Sequence, residues 1–401
     1  MRNPGAGRNA QESGDCRWTM LLATGSTQSG IWIMSQIDLT NNVGMLVNPT
    51  NHRTHSRQHW QKDCMEAVSE LETHFSTYNA SDRQVWEEDL ASFVPMKIFD
   101  AHIHLWSDIL LPPDAPNRGS SPTWDMPTTV EVNQTIFPGR EIGYLILGNP
   151  FPGCDVDAQS RFFAEQMKLN KNSRVHRLVT PACRVDDIRA DIETLGFTGL
   201  KPYRIFSTTG DINECRIHEF LTHEQMELAN DLGLWVTMHL SRYDGCADEY
   251  NLKDLEEYTN NRYPKIKWIL AHCARAFTYW PLRQAIDRLR DMPNIWYDSS
   301  AVTDFMPHYT LFKKEDHRRI MFGTDNMVAN AWHGKYVAMG RFWYQMGTPQ
   351  PTSDHTDARP VLSVYEQLLC MKHAAEIAEL SPSQIEDIFF NNAQAALGLE
   401  D

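Results

Sequence analysis

No CxxC pair and no run of closely spaced cysteines occur in this chain. Its eight cysteines, Cys16, Cys64, Cys154, Cys183, Cys215, Cys246, Cys273 and Cys370, stand singly. A disulfide framework of short loops is therefore excluded, and the thiols read as reduced ones in a cytoplasmic protein. No apolar run approaches the roughly 18 residues of a membrane-spanning helix, and the mean hydropathy of -0.47 agrees. Positive charge is in short supply: 37 Lys and Arg face 52 Asp and Glu, a net charge of -15. Phosphates are repelled at long range by such a surface, which opposes non-specific binding to nucleic acid or anionic lipid and leaves a small molecule as the expected partner. Neither GxGxxG nor GxxxxGK[ST] follows any strand-like run, so the main reason to expect a nucleotide-binding sheet is missing. A secretory leader is also poorly supported. Arg2, Arg8 and Arg17 precede the stretch Met20-Leu21-Leu22-Ala23-Thr24-Gly25, but it is too short and too soon broken by polar residues.

What is present is a globular composition, 42% hydrophobic and 22% charged over 401 residues, enough for one large domain with extensions or two ordinary ones. Residues 1–60 show no sustained period and are rich in Asn, Ser, Thr, Gly and Gln, so they are expected to be a disordered tail. Met34 and Met45 leave a later translation start open, and the cluster His52, His55, His59 reads as part of a solvated loop. Residues 61–95 are expected to be a helical extension braced against the barrel. Met65, Val68, Leu71 and Phe75 share one helical face, and Ser81 with Gln84 has the spacing of a capping box.

From residue 96 to 401 the chain alternates short apolar runs with helical stretches, the order of a parallel α/β sheet. The strands drawn from the pattern are Lys97 to Ala101, Ile142 to Leu147, Arg177 to Pro181, Gly199 to Pro202, Leu234 to Met238, Ile266 to Ala271, Ile295 to Asp298 and Ile320 to Gly323. Helices are expected over Asp157 to Leu169, His218 to Leu232, Leu252 to Asn260 and Pro281 to Arg290. Eight such units in about 300 residues suit a closed (β/α)8 TIM barrel better than an open doubly wound sheet.

The polar residues at the strand ends carry the chemistry. The first strand runs into His102-Ile103-His104, and residues two apart on an extended chain share a side. The fifth runs into His239, the sixth into His272 and the eighth into Asp325. Barrel enzymes place their sites at this C-terminal mouth. A lone histidine at a strand end is more often a packing residue, and one HxH is a weak signal. Four imidazoles and a carboxylate on one rim are a different matter, because packing histidines have no reason to gather there. Such ligands suit Zn2+, with Mn2+ or Fe2+ as competitors.

In order, Phe99-Asp100-Ala101-His102-Ile103-His104, Leu200-Lys201, Met238-His239, Ala271-His272, Tyr297-Asp298-Ser299-Ser300 and Phe322-Gly323-Thr324-Asp325 resemble the strand-end motifs of the amidohydrolase superfamily. The nearest likeness is to the branch that includes aminocarboxymuconate-semialdehyde decarboxylase and related hydrolases. It spans Met96 to Leu399, and Phe389 to Leu399 resembles that branch's usual ending. The resemblance implies one divalent metal ion held by His102, His104, His239 and Asp325. His272 is then a further ligand or an acid/base beside the bound water. Lys201 falls where some members carry a carboxylated lysine bridging two metals; a plain lysine facing substrate or a carboxylate is the simpler expectation. Tyr203 stands where the family often has a histidine.

A metal-dependent hydrolase of a small carboxylated, lactone or amide substrate, working through a metal-activated water, is the expected activity. Asp325 would take the water's proton and His272 would stabilise or protonate the developing anion. Decarboxylation and hydration use the same apparatus and remain alternatives, as does a barrel without catalysis. Arg204, Arg242 and Arg275 lie three residues after Lys201, His239 and His272 respectively, just beyond strand ends, and with Lys201 are candidates to bind an anionic substrate; each arginine can equally pair with rim carboxylates. Trp106, Tyr203, Tyr243 and Phe277 can line the pocket or cover the barrel. The long stretches 108–127 and 326–360, the latter with His333, Lys335 and Trp343, are candidate specificity loops. A homodimer is left open.

Overall fold

The computed structural model describes residues 78–115, 118, 123–326, 332–334, 336–345 and 360–399. The expected tail over 1–60, its histidine cluster and the helix drawn from Trp60 lie outside these residues. The capping box drawn on Ser81 and Gln84 is corrected. The first described helix, α1 (Ala80–Val85), is capped by Asn79, whose side chain accepts from the Ser81 and Asp82 N–H groups while Asp82 answers the Asn79 N–H. The box is shifted by two residues because Asn79, and not Ser81, leaves the helix with extended backbone.

Eight parallel strands follow in sequence order: β1 (Lys97–Ile103), β2 (Glu141–Leu147), β3 (Ser173–Val179), β4 (Gly199–Pro202), β5 (Trp235–Met238), β6 (Lys267–Leu270), β7 (Ile295–Asp298) and β8 (Ile320–Met321). Closure comes just past β8, where the Ala101 N–H donates to the Phe322 carbonyl at 2.9 Å and the Asp325 N–H to the His102 carbonyl at 2.9 Å. The sheet is thus the barrel expected from the alternation. Helices over Val156–Met167, His223–Leu232, Glu249–Glu257 and Pro281–Leu289 lie between strands. The second begins five residues later than expected, because Thr222 forms a capping box with Gln225, leaving Ile217–Glu219 as a separate short turn. Each helix turns apolar residues toward the strands, the best drawn being Leu282, Ala285, Ile286 and Leu289, all buried.

The third strand is the one whose position differs most. It begins at Ser173 and ends at Val179, four residues before the expected start. Its polar residues find partners only in the folded barrel. Outward-facing Arg177 pairs with Asp191 at 2.6 Å. Inward-facing His176 crosses over β4 to reach Thr237 Oγ1 at 2.9 Å. Gly199 makes room for that crossing, since a Cβ there would stand 2.6 Å from His176 Nε2.

The barrel's interior is an apolar plug of Phe99, Ala101, Leu145, Leu147, Trp235, Ile269 and Met321. It is closed at the N-terminal end of the strands by Phe390, Ala393, Leu397 and Leu399 from the chain's last helical segment. Asn392 fastens that segment by donating to the His317 and Ile320 carbonyls. With this end sealed by apolar groups, only the opposite end is free to hold a polar site. Six cysteines fall among the described residues and all are free thiols. No helix among those residues is long and apolar enough to cross a membrane.

Candidate metal centre

The site starts from an irregularity in β1. Asp100 pairs with Tyr144 but Ile103 with Ile146, so β1 carries one extra residue against β2 at this point. Strict alternation would put Ala101 and His102 on opposite faces. With the bulge, Ala101 completes the apolar plug while His102 faces the mouth beside His104, their rings 5.2 Å apart. Asp325 sits directly across, its Oδ1 3.4 Å from His104 Nε2 and 3.7 Å from His102 Nε2. It is held there with a positive φ of 58°.

All four rim imidazoles are fixed in the same way. His102 Nδ1 donates to Asp298 Oδ2 at 2.9 Å, His104 Nδ1 to the Leu147 carbonyl at 3.3 Å, His239 Nδ1 to the Leu240 carbonyl at 3.0 Å, and His272 Nδ1 to the Ser300 carbonyl at 3.0 Å. Carbonyls and a carboxylate only accept, so each Nδ1 carries the hydrogen and each Nε2 keeps its lone pair. That is the state a metal ligand or a base requires. Burial reinforces it. It is the main cause that pushes His102 down to about 3, with Lys201 adding to it, and the main cause that lowers His239 and His272. Burial works to raise the Asp325 carboxyl, but the His104 hydrogen bond and the neighbouring imidazoles hold it well below the usual carboxylate range.

Among the described residues, two groups of three have ligand atoms all within 4.8 Å of one another: His102, His104 and Asp325, and His102, His272 and Asp298. The first is a candidate metal group opening on the mouth. The second coincides with a hydrogen-bond network already closed on itself, since Ser300 Oγ contacts His272 Nδ1 at 2.9 Å and donates to Asp298 Oδ1 at 2.5 Å. His239 belongs to neither group, although its ring lies 5.1 Å from that of His272. The donors present, neutral imidazoles plus one ionised carboxylate, fit a divalent ion of the zinc, manganese or iron class.

Two carboxylates escaped assignment from the sequence. Asp298 is buried and accepts from His102 Nδ1 and from the His272 N–H at 3.0 Å, so it sets two site imidazoles at once. Asp100 is buried behind the bulge, where it accepts from the Thr324 N–H at 2.8 Å, Thr324 Oγ1 at 2.6 Å and the His102 N–H at 3.2 Å. Burial pushes it up to about 7 against these bonds. Both stood in the quoted motifs. The available signal was a carboxylate placed inside an apolar strand, which must find partners or be neutralised.

His272 opens an unusual segment. His272, Cys273, Ala274 and Arg275 all have φ between 50° and 61°, and the Ala276 N–H closes onto the His272 carbonyl at 2.9 Å. This is one turn of left-handed helix built without glycine, at a cost of roughly 1–2 kcal/mol per residue. Strain of that kind persists only where surrounding contacts overdetermine it.

The remaining candidates are placed as follows. Lys201 is fully buried, with its ammonium 5.0 Å from the centre of the Tyr203 ring, and no hydrogen-bond partner for Nζ occurs among the described residues. Burial lowers it to about 8. The Arg242 guanidinium is taken up by rim carboxylates, Glu214 and Asp248, each at 2.8 Å. Arg204 Nη1 donates to the Ile212 carbonyl at 2.8 Å and Asn213 Oδ1 at 2.7 Å. Arg275 Nη1 donates to the Ser241 carbonyl at 3.1 Å and to the Arg242 carbonyl. Of the aromatic residues, Trp106 is buried against Phe151 and Tyr243 is exposed. Phe277 lies against the His272 ring at 5.1 Å. Within the stretch 326–360 a hairpin of β9 (Tyr336–Met339) and β10 (Phe342–Gln345) stacks Trp343 on Phe277 at 4.2 Å. In the stretch 108–127, the Met126–Ile136 helix begins at Met126, capped by Asp125.

The amidohydrolase family model matches residues 99–399, about three quarters of the chain. The chain belongs to the amidohydrolase family. The match starts at Phe99, in the strand that delivers His102 and His104, and ends beside the helical segment that seals the barrel. No curated protein matches this amidohydrolase. Among solved structures it is similar to a probable 2-pyrone-4,6-dicarboxylic acid hydrolase from Acinetobacter baumannii, at 10% identity and a TM-score of 0.47, covering 75% of this chain and 99% of that one. It is also similar to 5-carboxyvanillate decarboxylase from Sphingomonas paucimobilis, at 12% identity and a TM-score of 0.45, covering 76% and 100%. A third is 2,6-dihydroxybenzoate decarboxylase from Rhizobium, at 10% identity and a TM-score of 0.45, covering 77% and 100%. Family membership rests on the family model.

Proposed function

We propose that this amidohydrolase is a metal-dependent hydrolase that cleaves a lactone or amide bond in a small carboxylated substrate. The observation that carries the reading is the common state of the four imidazoles, each with Nδ1 donated to a fixed acceptor and Nε2 bare, gathered with Asp325 at the barrel mouth. His102, His104, His239 and Asp325 would hold one divalent ion, zinc first and manganese or iron as alternatives, which when bound supplies Lewis acidity and a lowered pKa for water. Asp325, ionised, accepts a proton from the attacking water. His272 enters the cycle as a base and not as an acid, because its Nδ1 hydrogen is committed to the Ser300 carbonyl and its Nε2 is bare. It becomes a proton donor to the leaving group once the proton that Asp325 takes from the water is passed to its Nε2, which leaves Asp325 ionised again.

Lys201, buried with no hydrogen-bond partner for Nζ among the described residues and with Asp298 and Asp325 as the carboxylates acting on it, offers its remaining hydrogen-bonding capacity to the substrate carboxylate. That buried ammonium, with no hydrogen-bond partner among the described residues, also favours a second reading, a carboxy-lyase of a small carboxylic acid, because the group that orients a carboxylate for hydrolysis can equally orient one that leaves. The two readings separate in labelled water. Metal-loaded protein assayed on a panel of lactones, amides and aromatic carboxylic acids is expected to yield a product acid carrying one heavy oxygen from solvent, without CO2. Release of CO2, with no solvent oxygen in the organic product, overturns hydrolysis in favour of decarboxylation.

A further inference from the structure

We propose that Arg275 is a positioning residue whose guanidinium ties the loop carrying His239 to the left-handed turn carrying His272. The inference rests on the reading of these two imidazoles as working groups of the site. Arg275 is the last residue of the turn that His272 begins, and its side chain runs back to the Ser241 and Arg242 carbonyls, two and three residues beyond His239. Both bonds leave from one nitrogen, Nη1, whose two N–H groups are held in the guanidinium plane and so aim at two neighbouring carbonyl oxygens in a fixed direction, where an ammonium is a freely rotating point of charge.

Both partners of the tie are themselves anchored. On the His239 side, Ser241 Oγ donates to the Cys215 carbonyl at 2.6 Å, Asn251 Nδ2 donates to the Ser241 carbonyl at 3.0 Å, and the Arg242 N–H reaches the Asn213 carbonyl at 2.6 Å. On the His272 side, the turn is held at its start by Asp298 and Ser300. Its far end rests on Gly245, where a Cβ would stand 2.7 Å from the Arg275 carbonyl oxygen and where φ is +54°. Arg275 is therefore the strut between two fixed points, and it maintains four consecutive left-handed residues that have no glycine among them. Nη1 acts on carbonyl groups of the chain, and this accounts for a buried guanidinium at the mouth without assigning it to substrate.

The test uses the full chain stripped of metal and titrated with Zn2+ against a competing chelator, comparing wild type with Arg275→Ala, Arg275→Lys and Gly245→Ala. Arg275→Ala is expected to bind Zn2+ about 10–100-fold more weakly, the usual effect of removing a group that orients ligands. Added guanidinium ion should recover most of that loss in Arg275→Ala and none in Gly245→Ala. Arg275→Lys should fall between alanine and wild type. Gly245→Ala keeps the guanidinium but displaces the turn, so it should reproduce the weakening, and it serves with Arg275→Lys if Arg275→Ala does not fold. Wild-type affinity in Arg275→Ala or Gly245→Ala overturns the proposal, as does a loss in Arg275→Ala that guanidinium leaves untouched. A wild-type chain that takes up no Zn2+ overturns the metal reading itself, a different outcome from tight binding shared by wild type and variants.

Discussion

At the scale of single residues, the controlling group is Asp298. One buried carboxylate accepts from His102 Nδ1 with one oxygen and from the His272 N–H and Ser300 with the other. Asp298→Asn keeps the shape, but the His272 and Ser300 N–H groups claim its one oxygen, which turns the amide NH2 to His102 Nδ1 and removes the acceptor that fixes the imidazole's hydrogen there. Metal affinity is expected to fall about 10–100-fold, with the far-ultraviolet circular dichroism unchanged. Chelator competition on the purified variant measures this, and an affinity equal to wild type would show that His102 needs no such partner. The candidate ligands were legible in the sequence because each stands at or just past the C-terminal end of a strand, and the structure brings His102, His104 and Asp325 together. Asp298 and Asp100 were not legible as orienting groups. Their roles depend on which side chain lies across the barrel, and spacing along one strand carries no information about that.

At the scale of elements, strands with apolar runs were readable and the one with polar inward residues was not. Gly199–Pro202 and Ile295–Asp298 form as the pattern indicates. β3 is displaced because Arg174, His176 and Arg177 suggest a surface segment until Thr237 and Asp191 supply their partners. The loop 332–334, the segment entering the Ser363–Ala378 helix and the start of α1 are joined by a comparable non-local polar contact. Buried Asp82 accepts from the Leu362 N–H at 3.0 Å and the Asn79 N–H at 2.9 Å, and contacts His333 Nε2 at 2.8 Å. Asp82→Ala strands at least one buried N–H and removes the half of the α1 capping box that answers the Asn79 N–H, so a loss of roughly 2–4 kcal/mol is expected. Urea unfolding followed by circular dichroism checks it, and a change under about 0.5 kcal/mol, the scatter of neutral surface substitutions, would contradict the pinning role.

For the whole molecule, stability should fall on the acid side for a reason independent of the metal. His308 is buried and lowered to about 4, chiefly by burial, and His176 to about 3. In the unfolded chain a histidine titrates near 6.5. Between that value and the folded ones the unfolded state binds the proton and the folded state does not, so stability is lost as pH falls below about 6.5 and continues to be lost down to the folded values. Denaturant midpoints of metal-free protein should therefore decline from pH 7 to pH 4.5. His308→Gln, which can still donate to the Val302 carbonyl, should decline less steeply. An unchanged slope would mean that His308 is charged in the fold or hydrated.

The sealing of the barrel's N-terminal end by Phe390, Ala393, Leu397 and Leu399 leaves the opposite mouth as the place where imidazoles and carboxylates gather. That they gather to hold a metal is tested most directly by elemental analysis of the purified full chain, beside a variant carrying both His102→Ala and His104→Ala. The account predicts a tightly held divalent ion, one per chain, in the wild type and only background metal in the variant. Equal metal content in the two, or a wild type that remains metal-free after exposure to zinc, manganese and iron, would contradict it.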